Sequence, residues 1–227
     1  MFLVNSVPII DTTGNICLFG ANVSVIDSSM FLTACTSFFQ GKISGYTSGG
    51  FGPPGYLNVI DKFPFASDAN ATNVGVLTQA RNTRAGQSST VSGYSSGGSP
   101  LSNVIDKFPF ASNANATDVG DLTVARGGGA GQSSTVSGYT SGGCSTSDVN
   151  TIDKFPFASD ANATDVGDLT VARRDFAGQS SSVSGYTTGG VGPPIKNEID
   201  KFPFASDVNA TDVGDLTQAR YGPAGQS

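Results

Sequence analysis

No histidine occurs anywhere in the sequence. That absence removes the commonest general base, the commonest zinc ligand and the usual partner of a nucleophilic serine or cysteine. With no catalytic metal cluster in the letters either, the expectation is a protein that is not an enzyme and carries no cofactor and no metal. Charge is scarce, with 13% of residues charged and a net charge of −6, so the clustered lysines and arginines of a nucleic-acid footprint are missing. Tryptophan is absent, and the 3 cysteines form an odd set without metal-like spacing. A Cys17–Cys35 bridge is one reading and buried free thiols the other, the second favoured. No apolar run is long enough to cross a bilayer, so membrane insertion is not expected. The opening residues 1–10 are apolar without a basic leader, which argues against a signal peptide and for a soluble chain.

What the sequence does have is repetition. The phrase Asp153-Lys154-Phe155-Pro156-Phe157-Ala158-Ser159-Asp160-Ala161-Asn162-Ala163-Thr164-Asp165-Val166-Gly167-Asp168-Leu169-Thr170 recurs from Asp61, Asp106 and Asp200. A second phrase, Ser184-Gly185-Tyr186-Thr187-Thr188-Gly189-Gly190, recurs around Tyr46, Tyr94 and Tyr139. Successive Phe-Pro-Phe phrases, beginning at Phe63, Phe108, Phe155 and Phe202, lie 45, 47 and 47 residues apart. A unit of this length, rich in glycine and serine and with proline inside its apolar run, is poor helix material and suits four short strands.

Within one copy the expected strands are 178–182, 183–187, 197–204 and 213–219. The first consists of small residues suited to a crowded axis. The second stops at Gly189-Gly190, where positive φ permits a turn. The third carries Ile199 and a phenylalanine pair as core, and the two phenylalanines, two apart, share one face and are expected to pack between units. The spacers, such as Gly192-Pro193-Pro194 and Ser99-Pro100, vary in length and letters as surface loops do.

Residues up to about 40 follow the same metre in degenerate form. Leu18-Phe19-Gly20-Ala21 stands where Phe155-Pro156-Phe157-Ala158 would, and Leu32-Thr33-Ala34 where Leu169-Thr170-Val171-Ala172 would. The chain ends on Ala224-Gly225-Gln226-Ser227, a first strand without its successor. Five leucines, Leu32, Leu77, Leu122, Leu169 and Leu216, mark five outer strands. The expectation is therefore one domain over 1–227, an all-β, five-bladed β-propeller of four-stranded antiparallel blades. The N- and C-terminal segments would pair to close it, leaving no free sheet edge.

Ala177-Gly178-Gln179-Ser180, then Ser184-Gly185-Tyr186-Thr187-Thr188-Gly189-Gly190, Ile199-Asp200-Lys201-Phe202 and Leu216-Thr217-Gln218-Ala219-Arg220 together resemble a kelch repeat. In that family a double glycine ends the second strand and an arginine follows the fourth; the fourth-strand tryptophan is replaced here by Val-Gly-Asp-Leu. The repeated wording from residue 41 onward is also similar to kelch-like arrays encoded by marine tailed bacteriophages, where they accompany virion or tail-associated proteins. The resemblance implies a virion location, other virion proteins or a host-surface glycan as partners, and a role in structure or adhesion. The alternatives are a multivalent lectin and an intracellular interaction scaffold. Exchange of similar blades between chains would give a homo-oligomer.

Several residue sets invite a chemical reading. The run from Asp160 to Asp168 alternates oxygen ligands as a calcium loop does, yet its glycine is displaced and no glutamate closes it. Asx turns account for the same letters. Asn70, Asn115, Asn162 and Asn209 begin Asn-Ala-Thr sequons and are read as turn residues. Arg81, Arg126, Arg173 and Arg220 recur with Asp61, Asp106, Asp153 and Asp200, and a structural pairing is favoured over a ring of ligand-binding charges. The residues that differ between copies are the candidates for recognition: Tyr56, Asn82, Arg84, Asp175, Phe176, Lys196 and Tyr221.

Overall fold

The computed structural model of the protein describes residues 9–10, 16–17, 43–53 and 55–227. The chain divides into two compact units, Met1–Phe38 and Phe39–Ser227. In the first, β1 (Ile9–Ile10) pairs antiparallel with β2 (Ile16–Cys17). The expected fifth sheet would join residues 225–227 to the leading segment; residues 224–227 are described and form no strand, while most of the leading segment, Cys35 included, lies outside the described residues.

The second unit is all-β among the described residues, and every strand pair in it is antiparallel. Its first sheet has three strands, β3 (Ser44–Gly52), β4 (Gly55–Pro64) and β5 (Thr72–Val76). The next holds β6 (Ala85–Ser88), β7 (Ser92–Ser96), β8 (Val104–Pro109) and β9 (Thr117–Asp121). The third holds β10 (Ala130–Ser133), β11 (Ser137–Cys144), β12 (Asp148–Pro156) and β13 (Thr164–Asp168). The last holds β14 (Ala177–Ser180), β15 (Ser184–Thr188), β16 (Glu198–Pro203) and β17 (Thr211–Asp215). Strands follow chain order in each sheet, and no sheet closes on itself.

Two expected boundaries move, each for a local reason. The first strand ends at Ser180 because Ser181 Oγ accepts the N–H groups of Val183 and Ser184 and folds the chain back. The outer strand begins at Thr211 and stops before Leu216. Between the pairs Glu198↔Asp215 and Asp200↔Asp212 the outer strand has one residue more than its partner. Asp212 Oδ1 accepts the N–H of Gly214 at 3.0 Å across this bulge. Asn73, Asp118 and Asp165 make the same bond to Gly75, Gly120 and Gly167. These side chains are thus committed to turn formation, as the Asx reading expects.

Apolar residues converge between successive sheets rather than within one. Tyr94 of one sheet stacks on Phe157 of the next at 4.8 Å, with Phe155 5.5 Å away, beside buried Ile105, Leu122 and Ala163. Tyr46 with Phe108 and Phe110, and Tyr139 with Phe202 and Phe204, repeat the arrangement. The inward phenylalanine also covers a cross-strand glycine: a Cβ on Gly138 would lie 2.3 Å from the tip of the Phe155 ring. Only glycine leaves room for that ring, which explains the fixed Ser-Gly-Tyr wording.

The first strands β6, β10 and β14 lie against one another through glycine. A Cβ on Gly131 would stand 2.1 Å from the Gly86 carbonyl oxygen, and one on Gly178 would stand 2.5 Å from that of Gly131. Gly225 takes the same position against Gly178, at 2.5 Å, so the C-terminal residues continue the row. The expected crowding of small residues is therefore backbone packed on backbone.

Candidate functional site

Each sheet is joined to the next by a buried ion pair. Arg81 reaches Asp106 at 2.9 Å, Arg126 reaches Asp153 at 2.9 Å, and Arg173 reaches Asp200 at 3.2 Å, with at most 1% of any of these side chains exposed. The arginine follows the outer strand of one sheet and the aspartate sits on the third strand of the next. The same carboxylates accept bonds from threonine: Thr78, Thr123 and Thr170 each donate an N–H and an Oγ1–H, the latter at 2.7 Å. Burial pushes the Asp106 carboxyl up from its ordinary value, against the pull of Thr78 and Arg81. Burial likewise draws the Arg126 guanidinium down, opposed by Asp153. These recurring charges are spent in holding sheets together, which is the structural reading of the repeated Arg and Asp.

Sequon asparagines are engaged in the same interfaces. Asn115, Asn162 and Asn209 each accept through Oδ1 the N–H of a residue on the preceding outer strand, respectively Val76, Asp121 and Asp168. Lys107 and Lys154 cross on the surface to Asp160 and Asp207, at 2.9 and 2.8 Å. No group of three His, Cys, Asp or Glu side chains converges as a metal site among the described residues.

Strand direction sorts the loops into two ends. At one end lie the serine turns after each first strand and the Phe-Ala-Ser loops, whose wording hardly changes. At the other lie the loops following Gly-Gly and the linkers following Arg, whose letters vary. All seven variable residues singled out from the sequence belong to this second end.

The linkers have a common conformation in spite of their letters. Three residues separate each arginine from the alanine that begins the next strand: 82–84, 127–129, 174–176 and 221–223. Their middle residues share a left-handed backbone, with φ of 47° at Thr83, 70° at Gly128, 54° at Asp175 and 66° at Gly222. Consecutive linkers are bonded in series: Gly128 N–H donates to Thr83 O, Asp175 N–H to Gly128 O, and Gly222 N–H to Asp175 O. The first three linkers also bridge to the loop after Gly-Gly in the following sheet, through Asn82↔Ser99, Gly127↔Cys144 and Arg174↔Val191. One backbone row thus presents a different set of side chains at each step. The constant linker length beside changing letters was the sequence signal for it.

The candidates differ in what they offer. Tyr221 is 62% exposed and Tyr56 42% exposed, the latter edge-on to exposed Phe51 at 5.4 Å. Asn82 is half-buried in the linker row. Lys196 bonds Glu198 at 3.5 Å, and Asp175 lies 3.7 Å from Arg174 Nε. Arg174 also pairs with Asp148. Arg84 lines an open recess with Thr47, Ser48 and Ser95 and donates to the Arg81 carbonyl. Desolvation, helped by the nearby Arg81 charge, lowers its pKa to about 10. Phe176 is only 7% exposed; it joins the packed cluster containing Tyr139 and lies 5.6 Å from the Arg173 guanidinium, so it supports the row from beneath.

Among the described residues no helix is long and apolar enough to cross a membrane. No family model matches the chain, and no curated protein matches it.

Proposed function

We propose that this protein is a non-enzymatic virion component of a tailed bacteriophage, its sheets the blades of a kelch-like propeller and its variable end a recognition surface. The observation that carries the reading is the linker row: four successive linkers of one length and one backbone conformation display unlike side chains. Recognition built this way takes its rigidity from the invariant interfaces and its specificity from the letters that change. Exposed Phe51, Tyr56, Leu101, Ile195 and Tyr221 give that end the aromatic and aliphatic anchors that binding surfaces use. The partner is another particle protein or a host-surface glycan. Steps that differ from one another favour one extended partner over a set of identical sugar sites.

Mass spectrometry of purified particles tests the location, and absence of the chain from them overturns it. Tyr56→Ala with Tyr221→Ala tests the surface. Loss of binding to host cells or to particle proteins, with an unchanged unfolding transition, is the expected result. Binding that survives both substitutions overturns the assignment of this end.

A further inference from the structure

The interface between sheets is built three times among the described residues, and each end of that array carries half of a fourth. At the C-terminal end, Arg220 is exposed although Arg81, Arg126 and Arg173 are buried, and Leu216 is only half-buried although Leu77, Leu122 and Leu169 are buried. A Cβ on Gly75, Gly120 or Gly167 would meet a carbonyl of the following sheet's loop within 2.6 Å, whereas one on Gly214 meets nothing within 4 Å among the described residues. The N-terminal end shows the complementary half. Phe63 is 37% exposed against 5% or less for Phe108, Phe155 and Phe202, and Phe65 is 56% exposed where Phe110, Phe157 and Phe204 are partly buried. Asp61 is half-buried where Asp106, Asp153 and Asp200 are fully buried. The ion pairs among the described residues include neither Arg220 nor Asp61.

We infer that these two ends join different copies of the chain head to tail, Arg220 of one copy meeting Asp61 of the next. The match is specific in charge and shape. Arg220 and Thr217 on one end meet Asp61 on the other, as Arg126 and Thr123 meet Asp153. Tyr186 receives Phe63 and Phe65 as Tyr139 receives Phe202 and Phe204, and Lys201 stands to Asp68 as Lys154 stands to Asp207. The leading segment is a poorer occupant by its own letters. In the metre that sets Leu18 against Phe155 and Leu32 against Leu169, Ile16 stands at the aspartate position and Thr36 at the arginine position. Neither of these two residues carries the charge that would complete the ion pair. A second copy supplies both partners, and because the two faces differ, the contact is heterologous and yields rings or filaments.

Sedimentation velocity of the full chain over a concentration series, with native mass spectrometry, tests the inference. The wild type is expected to associate as concentration rises. Arg220→Asp and Asp61→Arg are each expected to weaken self-association at least about tenfold, because like charges then face each other in a buried site. Mixing the two variants restores association, since each offers the other an opposite charge at both contacts. Phe65→Ser provides an uncharged check, with a loss in the same direction. Each variant lies on an end face, and its unfolding transition reports whether the monomer remains intact. A wild type that stays monomeric throughout overturns the inference, as closure by residues 1–42 would predict. So does association unchanged by all three substitutions, or a mixture that associates no better than either variant alone.

Discussion

Arg126 and Asp153 face each other at 2.9 Å with both side chains fully buried, one following the outer strand of its sheet and the other on the third strand of the next. Each is the other's counter-charge, and Thr123 donates two further bonds to the carboxylate. Arg126→Met leaves Asp153 charged and unpaired in the interior. The expected loss is about 3–5 kcal/mol in chemical denaturation. Adding Asp153→Leu should recover part of it and no more, because the Thr123 N–H and hydroxyl then lose their acceptor.

The glycine row gives a paired prediction. Gly131→Ala drives a methyl into the Gly86 carbonyl, where only backbone movement can relieve the overlap, and should cost about 2 kcal/mol or more. Gly86→Ala meets nothing within 4 Å among the described residues, and its φ is not positive. It should be neutral or stabilising by up to about 1 kcal/mol, through the reduced freedom of the unfolded chain. Equal costs for the two variants in thermal unfolding would contradict the proposed contact.

Position in the array should matter more than letter. Tyr139→Ala removes a ring packed between Phe202 and Phe204 and should cost about 3–5 kcal/mol. Tyr186→Ala removes a half-buried ring with no aromatic neighbour among the described residues. In dilute protein its cost should stay below about 2 kcal/mol. Denaturant titrations of the two variants decide this.

The surface cross-links should hold at neutral pH and be lost in the alkaline range. The bond to Asp160 raises the Lys107 ammonium above its ordinary 10.5, and Asp207 acts likewise on Lys154. A raised lysine contributes stability that is complete below its unfolded pKa and is lost as pH rises through the folded one. The difference in stability between wild type and Lys107→Gln/Lys154→Gln should therefore be constant from neutral pH to about 9 and shrink above about 10. Its plateau should be small, within about 1 kcal/mol per pair, because both lysines and both aspartates are solvent-accessible.

The repeat made much of this legible in the sequence. Phe155 and Phe157, two apart in an apolar phrase, had to share a face, and a unit of four strands had nowhere to bury them except against a neighbour. The double glycines predicted left-handed turns, and Gly142 and Gly143 adopt φ of 51° and 113°. Contacts between copies were less legible because they join residues about one repeat apart. Gln87 reads as one more small polar residue, yet its Nε2 donates to the Tyr139 carbonyl of the next sheet at 2.8 Å. Phe176 stood in a variable linker and so looked available for binding, but the left-handed turn at Asp175 directs it into the packing. The bulge at Asp212-Val213-Gly214 shifted the outer strand because a carboxylate bonding to backbone has no hydrophobic periodicity to announce it.

In the glycine row, each unit rests on the peptide backbone of the one before it, and the contact is the same at Gly131, Gly178 and Gly225. A surface of that kind asks nothing of a newcomer except its own glycine. Unequal crossing-over between near-identical gene segments would therefore lengthen or shorten the protein by whole units, each arriving with a ready fit on both sides. Selection would then be left free to rewrite the three-residue linkers one at a time.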